Sequence, residues 1–114
     1  MLIERKEYGT EANGIFIECV FDSANILKTT YFPMLKRLYI SFNRGNVYSY
    51  QNIDEDLYKE FENNESQGKF FVMNIRNKSE TYTVRKEFTL YPSEVEETKI
   101  LIKEYKMNKD VNNG

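Results

Sequence analysis

The sequence predicts a single α+β domain: a curved antiparallel β-sheet of about five or six strands, with two or three helices packed on one face. Three stretches predict it. From Leu38 to Tyr50, Leu38, Ile40 and Phe42 alternate with Tyr39 and Ser41, Asn43-Arg44-Gly45 supplies a turn, and Val47-Tyr48-Ser49-Tyr50 returns. Period-two alternation around a glycine-bearing turn is a β-hairpin. From Thr81 to Tyr91 the alternation is cleaner still. After Ile53, and again after Pro92, the apolar spacing changes from strand to helix. A chain of 114 residues is one domain with a modest core.

Taken in order, Leu2 to Tyr8 is a poorly alternating, charged segment that suits an edge strand or a loose arm. Residues 10–14 read as a loop with Asn13-Gly14 as its turn. From Ile15 to Phe21, Ile15, Ile17, Cys19 and Phe21 share one face while Phe16, Glu18 and Val20 share the other, so this strand is at least partly covered on both sides. Asp22–Asn25 is a turn, and Ile26–Phe32 is a strand stopped by Pro33, which has no amide hydrogen to give a ladder. The hairpin follows, with two registers available. A two-residue loop sets Phe42 opposite Val47. A three-residue loop with Gly45 at positive φ sets Ile40 opposite Tyr48 and Leu38 opposite Tyr50, gathering the apolar residues on one face, and is preferred.

Asp54 is placed to cap a helix whose stripe is Leu57, Tyr58 and Phe61, with Ile53 set to staple against Tyr58 and with Lys59, Glu60 and Glu62 on the wet side. Asn63-Asn64 ends it. Ser66-Gln67-Gly68 is a break, and Lys69–Arg76 forms a short helix that buries Phe71 and Ile75. In the 81–91 strand Tyr82, Val84, Phe88 and Leu90 face one way and Thr81, Thr83, Arg85, Glu87 and Thr89 the other. Lys86 falls on the apolar side, which predicts a bulge, a bend or a snorkelling lysine. Ser93 and Glu96 form a capping box for a helix to about Met107, striped by Val95, Thr98, Leu101, Ile102 and Tyr105. Residues 108–114 are a polar, flexible tail.

Composition narrows the chemistry. The chain has no histidine, which removes Ser-His and Cys-His nucleophile pairs and His-ligated metals. No carboxylate pair stands out, so the expectation is a protein that is not an enzyme, with no cofactor and no metal. One cysteine, Cys19, cannot form an internal disulfide, and the sequence holds no apolar run of bilayer length. These features predict a cytoplasmic protein with no membrane partner. A net charge of −2 gives no global pull toward nucleic acid.

The segment from Asp22 to about Lys78 resembles the KTSC domain, a short family found at the C-terminus of some lysyl-tRNA synthetases and as stand-alone bacterial and phage proteins. The matching residues are Ser23-Ala24-Asn25-Ile26, Tyr31, the Leu38-x-Ile40-x-Phe42 strand, and Gly45-x-Val47-Tyr48-Ser49-Tyr50. Ile53, Leu57-Tyr58-x-x-Phe61, Ser66-x-Gly68-Lys69-Phe70-Phe71 and Asn74-Ile75 continue the match. Phe32-Pro33-Met34-Leu35 is bulkier than the family pattern, and nothing in that pattern covers residues 79–114. The expected organisation is one KTSC-like domain over residues 1–107 with an added C-terminal strand and helix.

The resemblance implies RNA binding, a role suggested by the fusion to a tRNA-handling enzyme. Charge is distributed accordingly: residues 28–86 carry 10 Lys and Arg against 7 Asp and Glu, whereas both flanks are acidic. RNA readers stack bases on sheet aromatics and hold phosphates with nearby cations. The candidate ligand-binding residues are therefore Arg37, Tyr39, Arg44, Tyr48, Tyr50, Lys69, Asn74 and Arg76. Each also has a structural reading. Tyr48 and Tyr50 share a face with Leu38 and Ile40, and the cations suit a solvated surface. The alternative function is protein–protein interaction, as a phage-encoded assembly or counter-defence accessory in the host cytoplasm, with the last helix as its interface to a partner or a second copy.

Overall fold

The computed structural model describes residues 1–12 and 14–113. Its strands are β1 (Leu2–Thr10), β2 (Gly14–Phe21), β3 (Ile26–Phe32), β4 (Arg37–Phe42), β5 (Asn46–Tyr50) and β6 (Val84–Thr89). Helices α1 (Glu55–Asn63) and α2 (Gln67–Asn74) and a 3-10 turn (Arg76–Lys78) lie between β5 and β6, and α3 (Pro92–Asn113) follows β6. The strands form one open sheet in chain order, each antiparallel to the next, with β1 and β6 at its free edges. The class is α+β. Asn13 of the expected first turn and Gly114 lie outside the described residues, and Gly14 has φ +70°.

The β4–β5 hairpin takes the three-residue loop. Leu38 pairs with Tyr50 and Ile40 with Tyr48, the Gly45 amide donates to the Phe42 carbonyl at 2.8 Å, and Gly45 has φ +96°. Directly opposed residues share a sheet face, which allows both faces to be read from the register. Ile17, Cys19, Thr29, Tyr31, Leu38, Ile40, Tyr48 and Tyr50 fall on one face. Against it α1 and α2 bury Tyr58, Phe61, Phe71 and Ile75 in the main core. Tyr39, Ser41, Val47 and Ser49 fall on the other.

The expectation of helices on a single face holds for α1 and α2. Helix α3 crosses the opposite face, where Val95 and Ile102 pack on a second, smaller core of Leu27, Val47 and Leu90. Sheet residues on both faces are long enough to bury an apolar layer, and the β3 bulge at Leu27 turns that side chain toward α3.

Several local expectations are refined. Asp54 caps α1, accepting from the Leu57 amide at 2.9 Å. Helix α2 begins two residues earlier than expected, because Ser66 caps it and Gln67 is buried beneath the end of α1, donating to the Asn64 carbonyl at 2.6 Å. The predicted irregularity in β6 is a bulge at Glu87, between the Phe88–Val47 and Lys86–Tyr48 pairs. It reverses the side-chain phase, so Phe88 points to the α3 face and not with Val84. Helix α3 starts at Pro92 instead of after Ser93. Proline suits the first helical position, and Glu94 reaches back to the Tyr91 amide at 3.4 Å. The helix continues to Asn113, through most of the stretch expected to be a tail.

Glu62, expected on the wet side of α1, is only 8 % exposed. Its position four residues after Tyr58 places it on the apolar face. There its Oε1 accepts from Arg5 Nε at 2.9 Å, Tyr58 Oη at 3.0 Å and Cys19 Sγ at 3.4 Å. On edge strand β1, ion pairs Glu4–Lys6 (3.1 Å) and Arg5–Glu7 (2.9 Å) line the two faces.

Candidate functional site

Three elements built from separate stretches of sequence enclose a cleft on the α1–α2 face. The hairpin supplies Phe42, Tyr48 and Tyr50, which the pleat turns to one side. Helix α2 supplies Phe71, whose ring meets Phe42 at 5.6 Å and Tyr50 at 5.2 Å, both edge to face. The turn after α2 supplies Ile75 and Arg76, and the segment entering β6 supplies Tyr82 and Val84. The cleft has a volume of about 350 Å³.

Phe42, Phe71 and Arg76 also line a second, shallower cleft of about 560 Å³, which runs toward the hairpin tip and takes in Asn43, Arg44 and Asn46. The two clefts therefore make one groove, aromatic at one end, polar at the other, with Arg76 at the join and Arg44 at the polar end. Among the described residues, none that lines either cleft is acidic. In a chain with more carboxylates than cations, that absence favours an anion.

Of the eight residues singled out from the sequence, the structure brings four together: Arg44, Tyr48, Tyr50 and Arg76. Tyr50 belongs to the core and Tyr48 packs against it, and both also line the cleft. Tyr39 and Arg37 lie on the opposite face, where Arg37 Nε donates to Gln51 Oε1 at 2.9 Å and Nη1 to Tyr39 Oη at 3.4 Å. Asn74 donates to the Phe70 carbonyl at 3.1 Å within α2, and exposed Lys69 stands outside both clefts. The sequence reading missed Tyr82 and Val84 as site residues. Their alternation was visible, but the Val84–Tyr50 pairing joins strands separated by two helices.

Tyr50 is only 6 % exposed, and among the described residues nothing donates to or accepts from its hydroxyl. Burial, aided by Tyr48 and opposed by Arg76, pushes its phenol up to about 12. At neutral pH it is a protonated donor.

The other polar cluster, around Glu62, carries no such opening. Burial pushes the Cys19 thiol up to about 12, against the lowering influence of Tyr58, so it is not a thiolate nucleophile. Tyr31 stacks on Tyr58 at 4.0 Å between ring centroids and donates to the Ile53 carbonyl at 2.7 Å. Among the described residues no three His, Cys, Asp or Glu side chains are grouped to hold a metal, and no helix is long and apolar enough to cross a membrane.

The family model of the KTSC domain matches residues 22–78. The fold is similar to the crystal structure of a KTSC domain protein from Yersinia pestis, with a TM-score of 0.56 and 24 % identity, over 75 % of this chain and 100 % of that one. No curated protein matches the chain.

Proposed function

The chain belongs to the KTSC domain family, and on that premise we propose that it is a non-enzymatic binding module that takes RNA, or another nucleotide-containing ligand, in the groove between the β4–β5 hairpin and α2. One observation carries the reading: an aromatic cleft has Arg76 in its lining and adjoins a second cleft that adds Arg44, with no carboxylate among the described lining residues of either. Aromatic walls take up bases by stacking irrespective of sequence, and guanidinium groups pair with phosphate oxygens in a fork geometry. The lack of histidine and of an acidic pair in the groove supports binding without turnover.

The test is the ultraviolet absorbance ratio and native mass spectrum of the freshly purified protein, followed by titration with a fluorescent single-stranded oligoribonucleotide. We expect a bound species that salt removes. The Arg44→Ala/Arg76→Ala double variant should lower affinity at least about tenfold and flatten the salt dependence by about two counterions. Equal binding by the double variant sinks the reading.

A second reading has an observation of its own. Residues added beyond the family match leave Phe88 55 % and Tyr91 76 % exposed beside α3, a surface suited to a protein partner. A discrete oligomer or a stoichiometric protein complex that the Phe88→Ser/Tyr91→Ser variant disrupts would favour it.

A further inference from the structure

The aromatic end of the groove has a feature that a general anion site does not need. Tyr50 is more than nine-tenths buried and its ring lies edge to face with Phe71 at 5.2 Å, yet its hydroxyl is not among the enclosed polar atoms that lack a partner, so the oxygen is reached from the cleft. Tyr31 and Tyr58 in the same core give their hydroxyls to protein partners, whereas the Tyr50 hydroxyl has none among the described residues and is left to what fills the cleft. The part of Tyr50 that remains accessible belongs to the cleft wall. The cleft around it is mostly aromatic and aliphatic, with Ser79 and Arg76 also in its lining.

We propose that this cleft is a single-base subsite: one unpaired base enters among Tyr48, Phe71 and Tyr82, the Tyr50 hydroxyl hydrogen-bonds its polar edge, and Arg76 holds the attached phosphate. The inference rests on the reading that the ligand contains a nucleotide, and adds its strandedness and the residue that selects the base. A volume of about 350 Å³ lies at the small end of ligand sites, roughly 300–1,000 Å³, and suits one nucleotide. A base pair presents its Watson–Crick edges to its partner strand and cannot offer them to a hydroxyl at the bottom of a cleft. The adjoining cleft with Asn43 and Arg44 then receives the neighbouring phosphate, which gives the bound strand a direction.

The experiment compares wild type, Tyr50→Phe, Tyr82→Ala and Arg76→Ala, using the four ribonucleoside monophosphates, short homopolymeric oligoribonucleotides and a matched duplex. Phenylalanine keeps the ring and its packing, so Tyr50→Phe should melt with wild type. It should lose roughly three- to tenfold in affinity for the preferred base, the worth of one hydrogen bond, and the preference among bases should flatten. Tyr82→Ala should weaken single-strand binding at least about fivefold through lost stacking. Arg76→Ala should weaken all bases alike and lower the salt slope by about one. If wild type binds oligoribonucleotides but Tyr50→Phe keeps both affinity and preference, or the duplex binds as tightly as the single strand, the subsite is refuted and the binding module stands. If wild type binds none of the probes, the module reading falls, and the subsite with it.

Discussion

Glu62 shows how one side chain can tie three parts of the chain together. Its carboxylate oxygen collects hydrogen bonds from Arg5 on the edge strand, Tyr58 on its own helix and Cys19 on β2. With Glu62 8 % exposed, those donors lose their acceptor together if the carboxylate is removed. Glu62→Ala should therefore cost about 2–3 kcal/mol in urea denaturation, because buried donors are left unpaired. Arg5→Ala should cost less, about 1 kcal/mol, since the guanidinium stays partly in water. Equal losses from the two variants would mean that the ion pair alone, and not the convergence on one oxygen, matters. The same comparison separates this cluster from the groove, because neither variant should change ligand affinity.

Among the elements, the β4–β5 hairpin is the part whose geometry was most fully legible from sequence. Its register follows from alternation and from one glycine, both local. Gly45 has a second duty that no local pattern shows. Its carbonyl accepts from the Leu90 amide at 2.8 Å, and a Cβ there would stand 3.1 Å from Val95 Cγ2 and 3.3 Å from the Leu90 carbonyl oxygen. The positive φ and the close approach of α3 act together, so Gly45→Ala should destabilise by about 1–3 kcal/mol. A midpoint in urea unchanged from wild type would contradict this. Contacts of that kind mark the limit of sequence reading here. The Val95–Ile102 stripe says that α3 must dock but not on which face. The β5–β6 pairing, which completes the cleft with Val84, spans two helices and leaves no signal in spacing. Arg44, Tyr48, Tyr50 and Arg76, singled out by residue type and neighbourhood, line the groove. Arg37 and Tyr39 lie away from both clefts, because alternation puts them in the hairpin without saying which face opens into a cleft.

At the scale of the molecule, the main core holds an unusual set of ionisable groups in their protonated form. Burial is the first cause for Cys19, Tyr31 and Tyr50, each pushed up to about 12, and for Tyr58, which is pushed up further. In the unfolded chain these groups lose protons from about pH 9–10. Across the window from about 9 to 12 the folded state binds more protons than the unfolded one, so stability falls as pH rises and is undiminished by these groups below it. Urea midpoints should be flat through neutral pH and decline steeply above about pH 9. Tyr58→Phe should make that decline shallower, and a midpoint insensitive to alkali would show that these phenols ionise freely in the folded state. The family match, residues 22–78, contains the hairpin, α2 and Arg76 of the groove, while Tyr82 and Val84 come from the additional segment that carries β6 and α3. The two free margins of the sheet bear on how the protein behaves at high concentration. An unpaired strand is a template on which other chains can polymerise, and alternating charge or a bulge spoils that template. The Glu4–Lys6 and Arg5–Glu7 pairs decorate one margin, and Lys86 with the Glu87 bulge interrupts the other, so growth of the sheet into fibrils is opposed at both ends.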